Sequence, residues 1–127
     1  MKQFQKTVLF IEDEPALQKT LGEFLREQGY AVIAALDGEA GLDAARRLHP
    51  DLVLLDIILP RKPGLEVLEA LRGDPELAAI PVIILTNVES GEAVERAVAL
   101  GARAYLVKTN YALDEVLEKV AAVIGRA

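Results

Sequence analysis

The sequence predicts an α/β fold, a doubly wound five-stranded parallel sheet wrapped by helices, and three observations lead there. β-rich runs recur five times in 127 residues, at Thr7 to Ile11, Ala31 to Ala34, Leu52 to Leu55, Val82 to Leu85 and Ala104 to Val107. The stretches between them space their apolar residues as helices do, so strand and helix alternate. All but the second run are continuously aliphatic, as strands are when helices cover both faces of a sheet. The weaker Ala31-Val32-Ile33-Ala34 is expected at an edge. Right-handed crossovers then favour an open parallel sheet, for which 2-1-3-4-5 is a common strand order.

Taken in order, the first run ends in Glu12-Asp13 and leads into an amphipathic helix. Leu17, Leu21, Phe24, Leu25 and Gln28 share its inner stripe, while Lys19, Glu23, Arg26 and Glu27 lie elsewhere. Pro15 suits its first turn and Gly29 its end. Gly38, Gly64, Gly73 and Gly101 punctuate the later connections, with Pro50 and Pro81 just before the third and fourth runs. His49, beside Pro50, is the only histidine and reads as a loop residue rather than an internal phosphodonor. In the last helix Leu113, Val116, Leu117, Val120 and Ile124 form an inner face against Asp114, Glu115, Glu118 and Lys119.

At this length one domain is expected, burying about two-thirds of the surface of its unfolded chain. Apolar runs are too short to span a bilayer and no export signal is visible, so a cytoplasmic protein without membrane contact is expected. With 14 basic and 20 acidic residues the net charge is −6, which opposes direct binding to nucleic-acid phosphates. The absence of cysteine excludes disulfides and thiolate metal sites.

The chemistry lies at the strand ends. Glu12 and Asp13 close the first run, Asp56 the third, Thr86 the fourth and Lys108 the fifth. Singly each has an ordinary reading: a solvated or capping acid, a capping threonine, a surface lysine. On neighbouring parallel strands they gather at one sheet edge, where two carboxylates about 5 Å apart repel by roughly 3 kcal/mol at an effective dielectric of 20. A divalent cation and Lys108 would offset that. Mg²⁺ suits such a set, since it takes hard oxygen ligands and often only one or two carboxylates beside a phosphate.

Glu12-Asp13, Asp56-Ile57-Ile58-Leu59-Pro60 with Gly64, then Thr86, then Tyr105 and Lys108 together resemble the receiver domain of bacterial two-component response regulators, over about residues 5–124. The resemblance implies a flavodoxin-like (β/α)5 fold and no enzyme activity beyond assisting its own phosphorylation and dephosphorylation; the 127 residues are expected to be a single receiver domain spanning 1–127 with no output domain among them, either a stand-alone receiver or a domain excised from a longer protein. It implies that Asp56 accepts a phosphoryl group from a sensor histidine kinase or phosphotransfer protein. Asp13, Asp56 and the Ile58 backbone carbonyl would ligate Mg²⁺ (or Mn²⁺), with Glu12 acting through water. Thr86, Lys108 and the Asn87 backbone would hold the phosphoryl oxygens. Thr86 and Tyr105 would then switch the surface of the fourth helix, fifth strand and fifth helix, where a downstream protein binds.

Ile58 and Val88 occupy positions that in this family modify dephosphorylation, and neither can hydrogen-bond an attacking water, so a slow loss of the phosphoryl group is expected. Glu12 replaces the family's commoner aspartate, and Asn87 a small residue. Thr109 replaces a proline often preceded by a cis bond; before threonine a cis bond costs about 2.5 to 4 kcal/mol, so trans is expected. A phosphorylation-dependent dimer stays open, although Gly101-Ala102-Arg103-Ala104 lacks the paired acids of one large DNA-binding subfamily. Two other readings stay open too: a receiver-like module acting without phosphorylation, and a flavodoxin-like cofactor binder or phosphatase. The chain has neither GxGxxG nor GxxxxGK, and Ile58 stands where a haloacid-dehalogenase-like phosphatase would carry its second aspartate.

Overall fold

Strand and helix alternate without interruption through the computed structural model, which describes residues 5–87, 91–108 and 112–126. In chain order the elements are β1 (Thr7–Ile11), α1 (Pro15–Glu27), β2 (Ala31–Ala35), α2 (Gly38–Leu48), β3 (Leu52–Leu55), α3 (Gly64–Gly73), β4 (Val82–Thr86), α4 (Gly91–Ala99), β5 (Ala104–Val107) and α5 (Leu113–Ile124). The strands form one parallel sheet in the order β2-β1-β3-β4-β5. This is the expected topology, with the short Ala-rich β2 at one edge.

Period-two side-chain direction divides the aliphatic runs between two cores. Leu9, Ile11, Val53, Leu55, Val82 and Ile84 face α2, α3 and α4, while Val8, Phe10, Leu52, Leu54, Ile83 and Leu85 face α1 and α5. All these strand side chains are buried. On the second face Leu21 and Leu25 of α1 meet Val116 and Val120 of α5, beside the buried ring of Tyr30. By contrast α4 buries only Ala97. Ala93 packs on the same core only partly buried, and polar contacts add to it: Arg96 pairs with Glu69 of α3, and Arg72 of α3 donates to Leu100 O just beyond the end of α4.

Helix boundaries follow local chemistry. Pro15 opens α1 with a fixed φ and no N–H to satisfy. Gly29, at φ 100°, ends the turn after α1 in a conformation open to glycine. Asp37 caps α2 by accepting from Ala40 N at 2.8 Å, and Glu115 Oε1 accepts from Ala112 N at 3.3 Å before α5. Three sequence expectations need correction. β2 and β4 each run one residue further, to Ala35 and Thr86, because parallel pairing continues there. Gln28 leaves the inner stripe: α1 has ended, and Gln28 is its exposed C-cap, its N–H turned back to Phe24 O and Leu25 O. No helix among the described residues is long and apolar enough to cross a membrane.

Candidate functional site at the carboxyl edge of the sheet

Parallel strands in register bring their carboxyl ends to one edge. Ile11 lies opposite Leu55 and Ala35, so the next residues of β1 and β3, Glu12 and Asp56, leave the sheet side by side. Their backbones stay tied: Glu12 N donates to Ala35 O at 2.9 Å, and Asp56 N to Ile11 O at 3.1 Å. The start of α3 presses on the same point. Gly64 N donates to Ile57 O at 2.7 Å, and a Cβ on Gly64 would lie 2.1 Å from Asp56 O, closer than any side chain can approach. Hence only glycine fits the motif at this position.

Two carboxylates are thereby taken out of water, Glu12 completely and Asp56 to 4% exposure. Lys108, its side chain only 10% exposed, compensates both: Nζ lies 2.6 Å from Glu12 Oε1 and 2.9 Å from Asp56 Oδ2. It also reaches Glu14 Oε1 at 3.5 Å. Glu12 Oε2 accepts from Glu14 N at 3.0 Å, and Asp56 Oδ1 from Ile58 N at 3.2 Å. Glu12 Oε1, although beside the ammonium, receives no aligned hydrogen bond among the described residues.

Burial pushes the Glu12 carboxyl above its ordinary range, against the close ammonium of Lys108 and the hydrogen bond from Glu14 N, and the charge of Asp56 pushes the same way as burial. For Lys108 burial alone would lower the ammonium's pKa. The close carboxylates of Glu12 and Asp56 outweigh it, and hold the group well above its ordinary value. The site is thus a cation clamped between two acids, with a third acid, the exposed Asp13, at its mouth.

Glu12, Asp13 and Asp56 each offer an oxygen, all within 4.8 Å of one another, and this acidic group could bind a divalent metal. The fit to Mg²⁺ or Mn²⁺ rests on an all-oxygen donor set, on a buried Glu12 Oε1 without an aligned hydrogen bond, and on one ammonium shared by three carboxylates, Glu12, Glu14 and Asp56. These groups surround a cleft of about 220 Å³ lined by Asp13, Glu14, Asp56, Ile58, Thr86, Asn87 and Lys108.

Six of the residues singled out in the sequence therefore line one cleft, and Glu12 lies beneath it. Thr86 is fully buried at the end of β4, and the exposed Asn87 follows it. Tyr105 stands on β5 opposite Ile84, half-buried against the core on the α2, α3 and α4 side. Val88 and the Lys108-Thr109 peptide lie outside the described residues. His49 is the half-exposed C-cap of α2, at φ 46°, in the connection before β3 as expected. Two residues went unnoticed in the sequence. Glu14 looked like an ordinary acid before a helix, and Gln18 like an ordinary polar position. The available signal was position alone: Glu14 follows Asp13 directly, and Gln18 falls in the first turn of α1, next to the end of β1.

Comparison with known proteins places this cleft in context. A family model described as the response regulator receiver domain matches residues 8–121. The chain is 36% identical over 120 residues to the probable transcriptional regulatory protein TcrX of Mycobacterium tuberculosis, covering 94% of this chain but only 50% of that relative. It is also 36% identical over 122 residues to the polar-differentiation response regulator DivK of Brucella ovis, covering 96% of this chain and 98% of the other. Among solved structures, the chemotaxis protein CheY4 of Vibrio cholerae superposes with a TM-score of 0.87 at 27% identity, over 94% of this chain and 99% of that one. A CheY-like receiver domain protein from Methanospirillum hungatei gives 0.88 at 28% identity, over 94% and 93%.

Proposed function

The chain belongs to the response regulator receiver domains of two-component signalling, and on that premise we propose that Asp56 is its phosphoacceptor. The phosphodonor is the phosphohistidine of a sensor histidine kinase or phosphotransfer protein. The observation that carries this reading is the clamp itself: Lys108 Nζ between Glu12 and Asp56, with Asp13 completing the acidic group at an open cleft. Receiver domains are signalling modules, not classical enzymes, and the unit proposed to act is one such domain with its core at about residues 5–124.

An Asp56 carboxylate oxygen attacks phosphorus, the P–N bond to the donor imidazole breaks, and its electron pair stays on the ring nitrogen, leaving an aspartyl phosphate. Asp13, Asp56 and the Ile58 carbonyl would hold Mg²⁺ (or Mn²⁺), with Glu12 acting through water. When bound, the ion neutralises charge on the transferring oxygens. Lys108 exchanges its contact with Asp56 for a phosphoryl oxygen and keeps Glu12 as its anchor. The Thr86 hydroxyl and the Asn87 N–H donate to the remaining oxygens.

The new charge recruits Thr86 and, with it, the Tyr105 side chain, which biases the surface of α4, β5 and α5 toward the form a downstream protein binds. The slight apolar anchoring of α4, in which Ala97 is the one fully buried residue and Ala93 packs beside it, supports its role as the part that moves. This reading places the chain in the cytoplasm, where kinases present phosphohistidine, and leaves direct contact with nucleic acid outside the domain's own role. Mg²⁺-dependent phosphotransfer profiling against histidine kinases, with Asp56→Asn as control, tests it. Transfer from a kinase to the parent chain, absent without Mg²⁺ and absent in the variant, is expected. Failure of every kinase and of acetyl phosphate would instead make the chain a receiver-like module acting without phosphorylation.

A further inference from the structure

Gln18 is the one polar side chain of α1 turned into the end of the sheet. Its Nε2 lies 2.9 Å from Phe10 O, 3.1 Å from Glu12 O and 3.1 Å from Ala35 O. A primary amide has two hydrogens, so three carbonyls share them, and the opposite amide orientation would set an oxygen against three oxygens. The three acceptors belong to the ends of β1 and β2, where the ladder of parallel hydrogen bonds runs out.

One of them matters for the cleft. Glu12 O belongs to the peptide joining Glu12 to Asp13, and the plane of that peptide sets the direction in which Asp13 leaves the strand. The Asp13 carboxylate itself is exposed, and no hydrogen bond or ion pair among the described residues orients it. Its placement beside Glu12 and Asp56 rests on its backbone, and Gln18 is the side chain that grips that backbone. Ala35 O also accepts from Glu12 N at 2.9 Å, so a second bond ties Gln18 and Glu12 to the same carbonyl.

We propose that Gln18 is a positioning residue for the divalent cation site: by binding the Glu12–Asp13 peptide from α1, it preorganises Asp13 as a ligand. The proposal rests on the cation site inferred above. Loss of a partner that orients a metal ligand typically weakens metal binding by about 10- to 100-fold. Because Gln18 acts on the backbone of the ligand, the lower end, about tenfold, is expected for Gln18→Leu.

The test measures Mn²⁺ affinity by electron paramagnetic resonance beside urea stability, for the parent chain, Gln18→Leu, Tyr30→Phe and Asp13→Asn. Tyr30 lies outside the cleft and serves as a control for loss of stability alone. The proposal expects Gln18→Leu to lose about tenfold in Mn²⁺ affinity while Tyr30→Phe stays at the parent value. Parent-like affinity in Gln18→Leu, or a loss that tracks stability equally in both variants, overturns it. If the parent chain fails to bind Mn²⁺, or Asp13→Asn binds it unchanged, the cation site itself falls and the proposal with it. Should Gln18→Leu fail to fold, NMR of the parent chain decides. Slowly exchanging Gln18 side-chain protons that shift with the Asp13 amide on adding Mg²⁺ support the proposal; fast-exchanging, unshifted protons overturn it.

Discussion

Replacing Lys108 by methionine should expose how much the clamp contributes. The substitution keeps the length of the side chain and removes the ammonium that lies 2.6 Å from Glu12 Oε1 and 2.9 Å from Asp56 Oδ2. Removing one partner of a buried pair costs roughly 3 to 5 kcal/mol, because the other charge stays buried. Here the cleft admits water beside Asp56, while Glu12 is fully buried, so about 3 kcal/mol at pH 7 is expected. The deficit should depend on pH. The Glu12 carboxyl is held above its ordinary 4.5, and Lys108 is among the groups that lower it, so the variant raises it further. A folded-state pKa raised in this way gives stability that is full below 4.5 and lost as pH rises through the folded value. Lys108→Met should therefore lose most at neutral pH and recover toward pH 5. Urea denaturation at several pH values, without divalent cation, measures this. A deficit below about 1 kcal/mol at pH 7, the range of an exposed pair, or one unchanged at pH 5, would refute the reasoning.

The remaining predictions concern the support of the site and its lifetime. Gly64→Ala would put a methyl group 2.1 Å from Asp56 O; calorimetry should show roughly 3 kcal/mol of destabilisation, and phosphorylation of the folded fraction should slow. Tyr30 OH donates to Gly125 O at 2.7 Å, so Tyr30→Phe should cost about 1 kcal/mol in urea titrations. Burial holds the Tyr30 phenol above its ordinary 10.0, so the parent's stability should fall as pH rises through the folded value, with a shallower fall in the variant. Ile58 is 63% exposed at the cleft and cannot orient water. Ile58→Asn should shorten the lifetime of the phosphorylated protein several-fold, followed by loss of label, and an unchanged lifetime would remove Ile58 from that role.

Much of this was legible in the sequence because the strands are aliphatic on both faces. Runs such as Leu52 to Leu55 mark buried parallel strands, and each ends in the residue it delivers to the cleft. Asp56, Thr86 and Lys108 could thus be placed by position alone. Contacts set by approach across the fold were less legible. That Lys108 bridges Glu12 and Asp56, with Glu14 as a weaker third partner, depends on how β5 sits against β4 and how its side chain reaches back over β3. Gln18 was invisible for a related reason. A glutamine on a helix reads as surface, and only the packing of α1 over the ends of β1 and β2 turns its amide onto three carbonyls. Gln28 failed in the opposite sense: it continued the helical stripe, but α1 ends at Glu27 and Gln28 is its cap, just before the backbone turns at Gly29.

Everything proposed for this cleft depends on Asp56 carrying the phosphoryl group. Peptide mapping by mass spectrometry, after treating the parent chain and Asp56→Asn with acetyl phosphate and Mg²⁺, tests it most directly. One hydroxylamine-labile phosphoryl group, located on Asp56, is expected in the parent and none in the variant. A phosphoryl group on any other residue, or equal labelling of Asp56→Asn, would contradict it.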